Sequence, residues 1–417
     1  MDDSSIRPAP SDRHPELGNT LALWLFSRLL IAGIFWVVSS KAAPGTSVWD
    51  LFTQWDGAFY REIVTQGYRY SRDFTAGVSV AFFPLFPLLS WGLMQLGIPF
   101  ELGGPLINNL AFLGAIVVLH GWMRDRYSFK VAQWVTAVLI LCPYSLFGTV
   151  AYTEGLFLLL TTAALQAYEQ QSYRSMAVWG ALATATRPTG VVLIPAFLLA
   201  AWKDRRSPVA YLAALGSAIG ILSYSLFCWL RFGNPLAFLH AQYAWRPSSG
   251  FAWPGWLKML TQIFLGTVEG GVLKTPWHPI ALIGIAIAAA LLWRTRDRWS
   301  SVIVDYGCCL LVVLVWAVIG DPLLNFAAVF GVGWLLWRSR TELSTIVLTY
   351  GFCALGLILL SGSTISLGRI SYGVVSGAIG LGLVLSKHPR WGYASLGFFA
   401  LLLLSFGDRF AHGFWAG

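Results

Sequence analysis

Charge is the first scarcity. Only 11% of the 417 residues are Asp, Glu, Lys or Arg, against 57% that are hydrophobic. Soluble domains carry about 25% charged residues, so a soluble enzyme or scaffold is excluded. The five cysteines, Cys142, Cys228, Cys308, Cys309 and Cys353, lie inside apolar runs with no CxxC or Cys/His spacing. Neither a disulfide framework nor a metal site is indicated. The chain has no DxD to hold a metal-bound nucleotide sugar, no Walker A lysine loop and no GxSxG elbow. No cofactor is predicted, and no motif supports a divalent cation. Internal repeats and low-complexity segments are also lacking. The net charge of +9 is no nucleic-acid footprint. Its basic residues fall in short loops between apolar runs, where the positive-inside rule places them.

What is present is apolar sequence in span-length pieces. A crossing takes about 20 apolar residues. Runs at 20–38, 105–122, 131–150, 209–230, 302–319, 343–361 and 393–408 qualify. Shorter runs lie at 155–168, 175–186, 189–202, 278–293, 322–337 and 371–386. The fold class is therefore an all-α polytopic membrane protein. Residues 1–19 form a polar tail, expected to be cytoplasmic and retained, and 20–417 form a single transmembrane domain. Basic segments at 122–130, 169–174, 203–208, 293–299, 338–342 and 386–390 are assigned to the cytoplasmic face. The outer face then receives 39–104, 151–155, 185–190, 231–277, 320–323 and 361–372. This alternation requires that 80–98, with Pro84 and Pro87, not cross alone. It is expected to be a re-entrant or interfacial helix in the long first external loop. About thirteen spans result, fewer if 175–202 is one broken span.

Ionisable residues at membrane depth are costly and usually functional. The first external loop contains QWDGAFYREIVTQGY, in which Trp55, Phe59 and Ile63 recur at helical spacing. This reads as an amphipathic interfacial helix with Asp56 at its N-terminal end, where the carboxylate either caps the helix or does chemistry. Glu154 stands at an external helix start in AYTEG, and reads equally as a first-turn acid. Arg187 in ATRPTG and Arg369 in SLGRISY are each also readable as snorkelling arginines. All four fall on one membrane face. Two carboxylates and two guanidiniums there point to an anionic lipid-linked substrate, since a guanidinium can hydrogen-bond two phosphate oxygens at once. The second long external loop adds FLHAQYAWRP, in which His240, Gln242, Trp245 and Arg246 suit the apolar faces and hydroxyl rims of sugars. Trp and Tyr are also expected at a membrane interface without any function.

WDGAFYREIVTQGY, FFPLFPLL, AYTEGLFLLL and ATRPTGVVLIP, in that order, resemble the PIG-V-like mannosyltransferases, over roughly residues 20–200. The Q-x-x-W-R segment at 242–246 is similar as well. That family acts in GPI-anchor assembly, has bacterial relatives, and belongs to the GT-C glycosyltransferases, multi-span enzymes that use polyprenyl-phosphate sugars. The resemblance implies a GT-C-type bundle and a polyprenyl-phosphate-mannose donor. It implies inverting transfer to a glycolipid or cell-envelope glycan, with Asp56 as general base on the acceptor hydroxyl. Arg187 and Arg369 would clamp the leaving phosphate, and Glu154 would orient the acceptor or stabilise charge on the sugar. Trp55, Tyr60, His240, Gln242, Trp245 and Arg246 would bind substrate. The family often carries a polar residue where this chain has Ala58-Phe59-Tyr60, a departure that bears on the acceptor. Low lysine content and short loops look bacterial, which places the protein in the inner membrane with its site facing outward. Two other readings stay open at this stage: a lipid-linked-sugar flippase or transporter, and a non-catalytic subunit of an envelope complex.

Overall fold

The computed structural model describes residues 14–41, 47–71, 78–246, 249–269 and 272–417. The first thirteen residues of the expected tail, and parts of both long external loops, lie outside these. The described chain is nearly all helix, and its only sheet is the antiparallel pair Val268–Glu269 with Val272–Leu273.

Every apolar run became a helix, but not every helix is a crossing. Among the described residues six are long and apolar enough: Leu17–Lys41, Phe100–Arg126, Pro208–Phe232, Trp277–Arg298, Ser301–Ile319 and Pro389–Ala411. Phe129–Leu141, Pro188–Lys203, Thr345–Leu359 and Val375–Lys387 are shorter. At 1.5 Å per residue, a 13-residue helix reaches only about 20 Å of a hydrocarbon core about 30 Å thick. Thirteen continuous spans are therefore not seen. Pro143, Pro188 and a π segment at Ala327–Gly331 interrupt the runs, and Pro removes both a donor and helical room. Such breaks are tolerated at membrane depth where neighbouring protein covers them. Burial divides the helices accordingly. The broken and short elements pack the interior, whereas Ser301–Ile319, with a mean hydropathy of 2.6, has none of its span buried. So apolar a surface belongs against lipid, and the protein is an integral, multi-pass membrane protein.

Residues 80–98 form a short turn and the helix Leu85–Gln95. Its 11 residues span about 16 Å. It reverses at Leu96–Gly97, Gly97 taking φ +83°, and packs against the following helix Phe100–Arg126 and the helix Asp56–Gln66. It does not cross alone.

The basic loops gather at one end. Arg126 pairs with Glu169 at 3.6 Å, Lys387 with Glu342 at 2.6 Å and Arg390 with Asp305 at 2.9 Å. Tyr168 donates to Asp204, and Tyr127 to the Glu342 carbonyl, each at 3.0 Å. The loops of the opposite parity meet elsewhere, around a cavity.

Candidate active site

The cavity is built on an irregular buried segment. Helix Phe129–Leu141 ends at Cys142, and residues 143–153 run through a tight 3₁₀ stretch and turns before helix Glu154–Glu169 begins. Buried backbone of this kind needs partners, and three side chains supply them. Arg28, in the first span, donates to the carbonyl of Ser145 at 2.7 Å, to Ser145 Oγ at 2.9 Å and to Thr149 Oγ1 at 2.5 Å. Asn108 donates to the carbonyls of Phe147 and Val150, each at 2.7 Å, and accepts from the Gly155 N–H at 2.8 Å. Asn109 donates to the Thr149 carbonyl at 2.8 Å. Gly155 must be glycine, because a Cβ there would run into Asn108. Sequence reasoning singles out none of these three side chains. Arg28 carries the same signal as the others, an arginine within an apolar run. The adjacent amides at 108–109 are a weaker sign of the same kind.

Helix Asp56–Gln66 begins with a sharp entry. Trp55 has φ 56° and ψ −118°, a conformation that costs a non-glycine residue about 1–3 kcal/mol. The entry delivers Asp56 as the first helical residue. Its N–H donates to the Tyr152 hydroxyl at 3.1 Å, and the cap position before the helix belongs to Trp55 rather than to Asp56. Capping is thus not what Asp56 does; its Oδ2 lies 2.6 Å from Arg369 Nη2. The entry also rotates the expected apolar stripe. Gly57, Tyr60 and Ile63 face inward, whereas Trp55, left outside the helical repeat, is 44% exposed and packs edge-on against Trp415. Gly57 sits beside Ala151 at ordinary contact distance, so no exceptional approach depends on it.

Arg187 is placed by a break. Pro188 disfavours helical geometry for its predecessor, and Arg187 is extended (φ −149°, ψ 146°), between helix Tyr173–Thr186 and the turn Pro188–Val192. Its guanidinium does not snorkel: Nη1 lies 2.7 Å from Glu154 Oε1. The same oxygen is 3.0 Å from Arg369 Nε. Arg369, on the short helix Leu367–Tyr372, lies within about 5 Å of the rings of Phe147, Tyr152 and Trp415. The result is a linear chain of alternating charge: Asp56, Arg369, Glu154, Arg187.

The chain floors a cavity of about 390 Å³, a size usual for ligand sites. Asp56, Arg187 and Arg369 reach its surface. Glu154 does not: it is fully buried and absent from the lining. It therefore does not face the space where the expected acceptor or sugar would lie, and its contacts are with the two arginines. Glu154 Oε2 has no hydrogen-bond partner among the described residues. One wall is aromatic. Phe59 stacks on Phe82 at 4.8 Å between centroids, and Trp245 meets both edge-on at 5.8 Å. Tyr60 lies at the floor, and burial pushes its phenol above the ordinary range, so it stays protonated.

Trp55, Tyr60, Gln242, Trp245 and Arg246 all line the cavity, as does the unexpected Trp415. Gln242 uses its amide to donate to the Ala81 carbonyl at 3.2 Å. His240 is outside. Helix Ala237–Ala241 turns Ala237, Phe238 and Ala241 inward. The exposed His240 ring accordingly meets Asn234 at 2.9 Å and Tyr70 at 3.4 Å. Among the described residues no group of three His, Cys, Asp or Glu side chains is placed to share a metal ion.

The family model for "Mannosyltransferase (PIG-V)" matches residues 33–243, half of the chain, including Asp56, Glu154 and Arg187. The chain belongs to the PIG-V mannosyltransferase family. Its fold is that of the GT-C membrane glycosyltransferases. The Archaeoglobus fulgidus oligosaccharyltransferase in its apo form superposes with a TM-score of 0.51 at 12% identity, over 96% of this chain and 57% of that one. The chain thus spans little more than half the length of that structural relative. ArnT from Cupriavidus metallidurans, solved with undecaprenyl phosphate, gives a TM-score of 0.39 at 12% identity, over 93% of this chain and 78% of that one. No curated protein matches by sequence.

Proposed function

We propose that the protein moves a sugar, mannose on the family's precedent, from a polyprenyl-phosphate carrier to a hydroxyl of a glycolipid or cell-envelope glycan. The cavity would open on the outer face of a bacterial inner membrane, the face opposite the basic loops. The observation that carries this reading is the Asp56–Arg369–Glu154–Arg187 chain at the floor of an aromatic-walled cavity.

Arg369 holds Asp56 Oδ2, which leaves Oδ1 for the acceptor. In the proposed step the acceptor hydroxyl gives its proton to Asp56 Oδ1 and its oxygen bonds to the anomeric carbon. The bond from that carbon to the phosphate oxygen breaks on the opposite face, and its electrons leave with the polyprenyl phosphate. Configuration inverts. General-base help of this kind is worth about 10²–10⁴-fold. The aromatic wall of Phe59, Phe82 and Trp245 would take the apolar face of the sugar. Arg187 and Arg369 would stabilise charge on the departing phosphate while Glu154 keeps them apart and oriented.

The test is transfer by purified protein in nanodiscs, given radiolabelled polyprenyl-phosphate-mannose and an envelope-lipid extract. Label appearing in a new product with inverted anomeric configuration supports the reading. Retained configuration removes Asp56 as a single-step base. Movement of the labelled donor across liposome membranes without a new product would favour a flippase.

A further inference from the structure

The chain of four charges leaves an electrostatic problem. Asp56 and Glu154 neutralise Arg369 and Arg187, so the group as a whole offers an arriving anion no net charge. Arg187 and Arg369, paired with the protein's own carboxylates, can stabilise charge that develops on the phosphate in the reaction but offer no spare charge to capture it beforehand. The cavity has a third cation. Arg246 lines it, and among the described residues it has no ion-pair partner. We infer that Arg246 anchors the phosphate of the lipid-linked donor. This rests on the glycosyltransferase reading above and deepens it.

Three observations converge. Three guanidiniums and one part-buried carboxylate share the cavity wall, and that excess of positive charge calls for an anion. Burial, with Arg187 and Arg369 nearby, holds the Arg246 pKa below its ordinary value, which an anion would relieve. Arg246 also follows directly on Trp245, whose ring closes the aromatic wall against Phe59 and Phe82. A phosphate on Arg246 would therefore set its attached sugar beside that wall, in the cavity that Asp56 also lines. The charge balance suits a phosphodiester. With Arg246 the five groups sum to +1, and a sugar phosphodiester carries −1. Its two non-bridging oxygens match the guanidinium fork.

The experiment measures binding of undecaprenyl phosphate to full-length protein in neutral-lipid nanodiscs, with donor KM and kcat measured on the same samples. Wild type is compared with Arg246→Gln and Arg246→Lys, each checked for a native elution profile and melting temperature. Loss of one charge-assisted contact predicts about 10- to 100-fold weaker binding in Arg246→Gln. Donor KM should rise in parallel, kcat should change less, and Arg246→Lys should recover part of the loss. Equal binding by wild type and Arg246→Gln overturns the inference, as does no binding by wild type. Displacement by inorganic phosphate or phosphatidylglycerol at equal concentration overturns the lipid-donor assignment. Arg246-dependent binding without transfer upholds the anchor and removes the enzyme reading. Transfer with unchanged donor KM in Arg246→Gln does the reverse.

Discussion

Replacing Glu154 with Gln should separate holding the site together from binding the donor. The substitution keeps the shape and removes one charge. Glu154 Oε1 is 2.7 Å from Arg187 and 3.0 Å from Arg369, and the residue is fully buried. Deleting one member of a buried pair costs about 3–5 kcal/mol, because a charge is left without its partner. Both arginines are 12% exposed at the cavity wall, where water can reach them, so the lower end, about 3 kcal/mol, applies. A chain of this length should then melt several degrees lower. Cavity charge would rise from +1 to +2, so donor affinity should hold or improve. Meanwhile kcat should fall at least about 10-fold, because Arg369 loses the second anchor that fixes its hold on Asp56. Thermal unfolding in nanodiscs and steady-state transfer read the two effects separately. Wild-type stability together with wild-type kcat would refute the reasoning. A raised donor KM with unchanged kcat would show instead that Glu154 acts on the donor.

Two further substitutions probe the frame and the edge of the site. Asn108→Ala leaves the buried Phe147 carbonyl and the Gly155 N–H unpaired, while the Val150 carbonyl keeps the Tyr152 N–H, and should cost about 2–4 kcal/mol of stability, seen as a lowered melting temperature. It should also lower kcat, because residues 147–155 carry Tyr152 and Glu154. His240→Ala should leave donor KM and kcat within about twofold of wild type, since its ring faces Asn234 and Tyr70 outside the cavity.

Much of the site was legible from sequence for one physical reason. Ionisable residues at the ends of apolar runs are expensive, and loop parity says which of them share a face. Asp56, Glu154, Arg187 and Arg369 meet as that argument requires. What parity cannot supply is who neutralises whom. The Asp56–Arg369 pair joins residues 313 positions apart, and it ties the acid and the phosphate-side arginine to each other, which neither residue shows alone. Arg28 lies outside that rule, in the middle of the first span, where its partners are backbone carbonyls and hydroxyls rather than another charge. The stripe of Trp55, Phe59 and Ile63 holds at Ile63, which is buried, and at Phe59, which packs on Phe82; it fails at Trp55, where it assumes helical geometry although φ is positive. Span counting meets a different limit. Hydropathy reports how apolar a helix is, and a 13-residue helix such as Val375–Lys387 is as apolar inside the bundle as one facing lipid.

The central claim is that Asp56 takes the acceptor proton. It is tested most directly by comparing Asp56→Asn with wild type in the transfer assay, with undecaprenyl phosphate binding measured on the same preparations. The account predicts that the Asp56→Asn protein still folds and binds the carrier while transfer falls by about 10²–10⁴-fold. Transfer at the wild-type rate by a folded Asp56→Asn protein would contradict it.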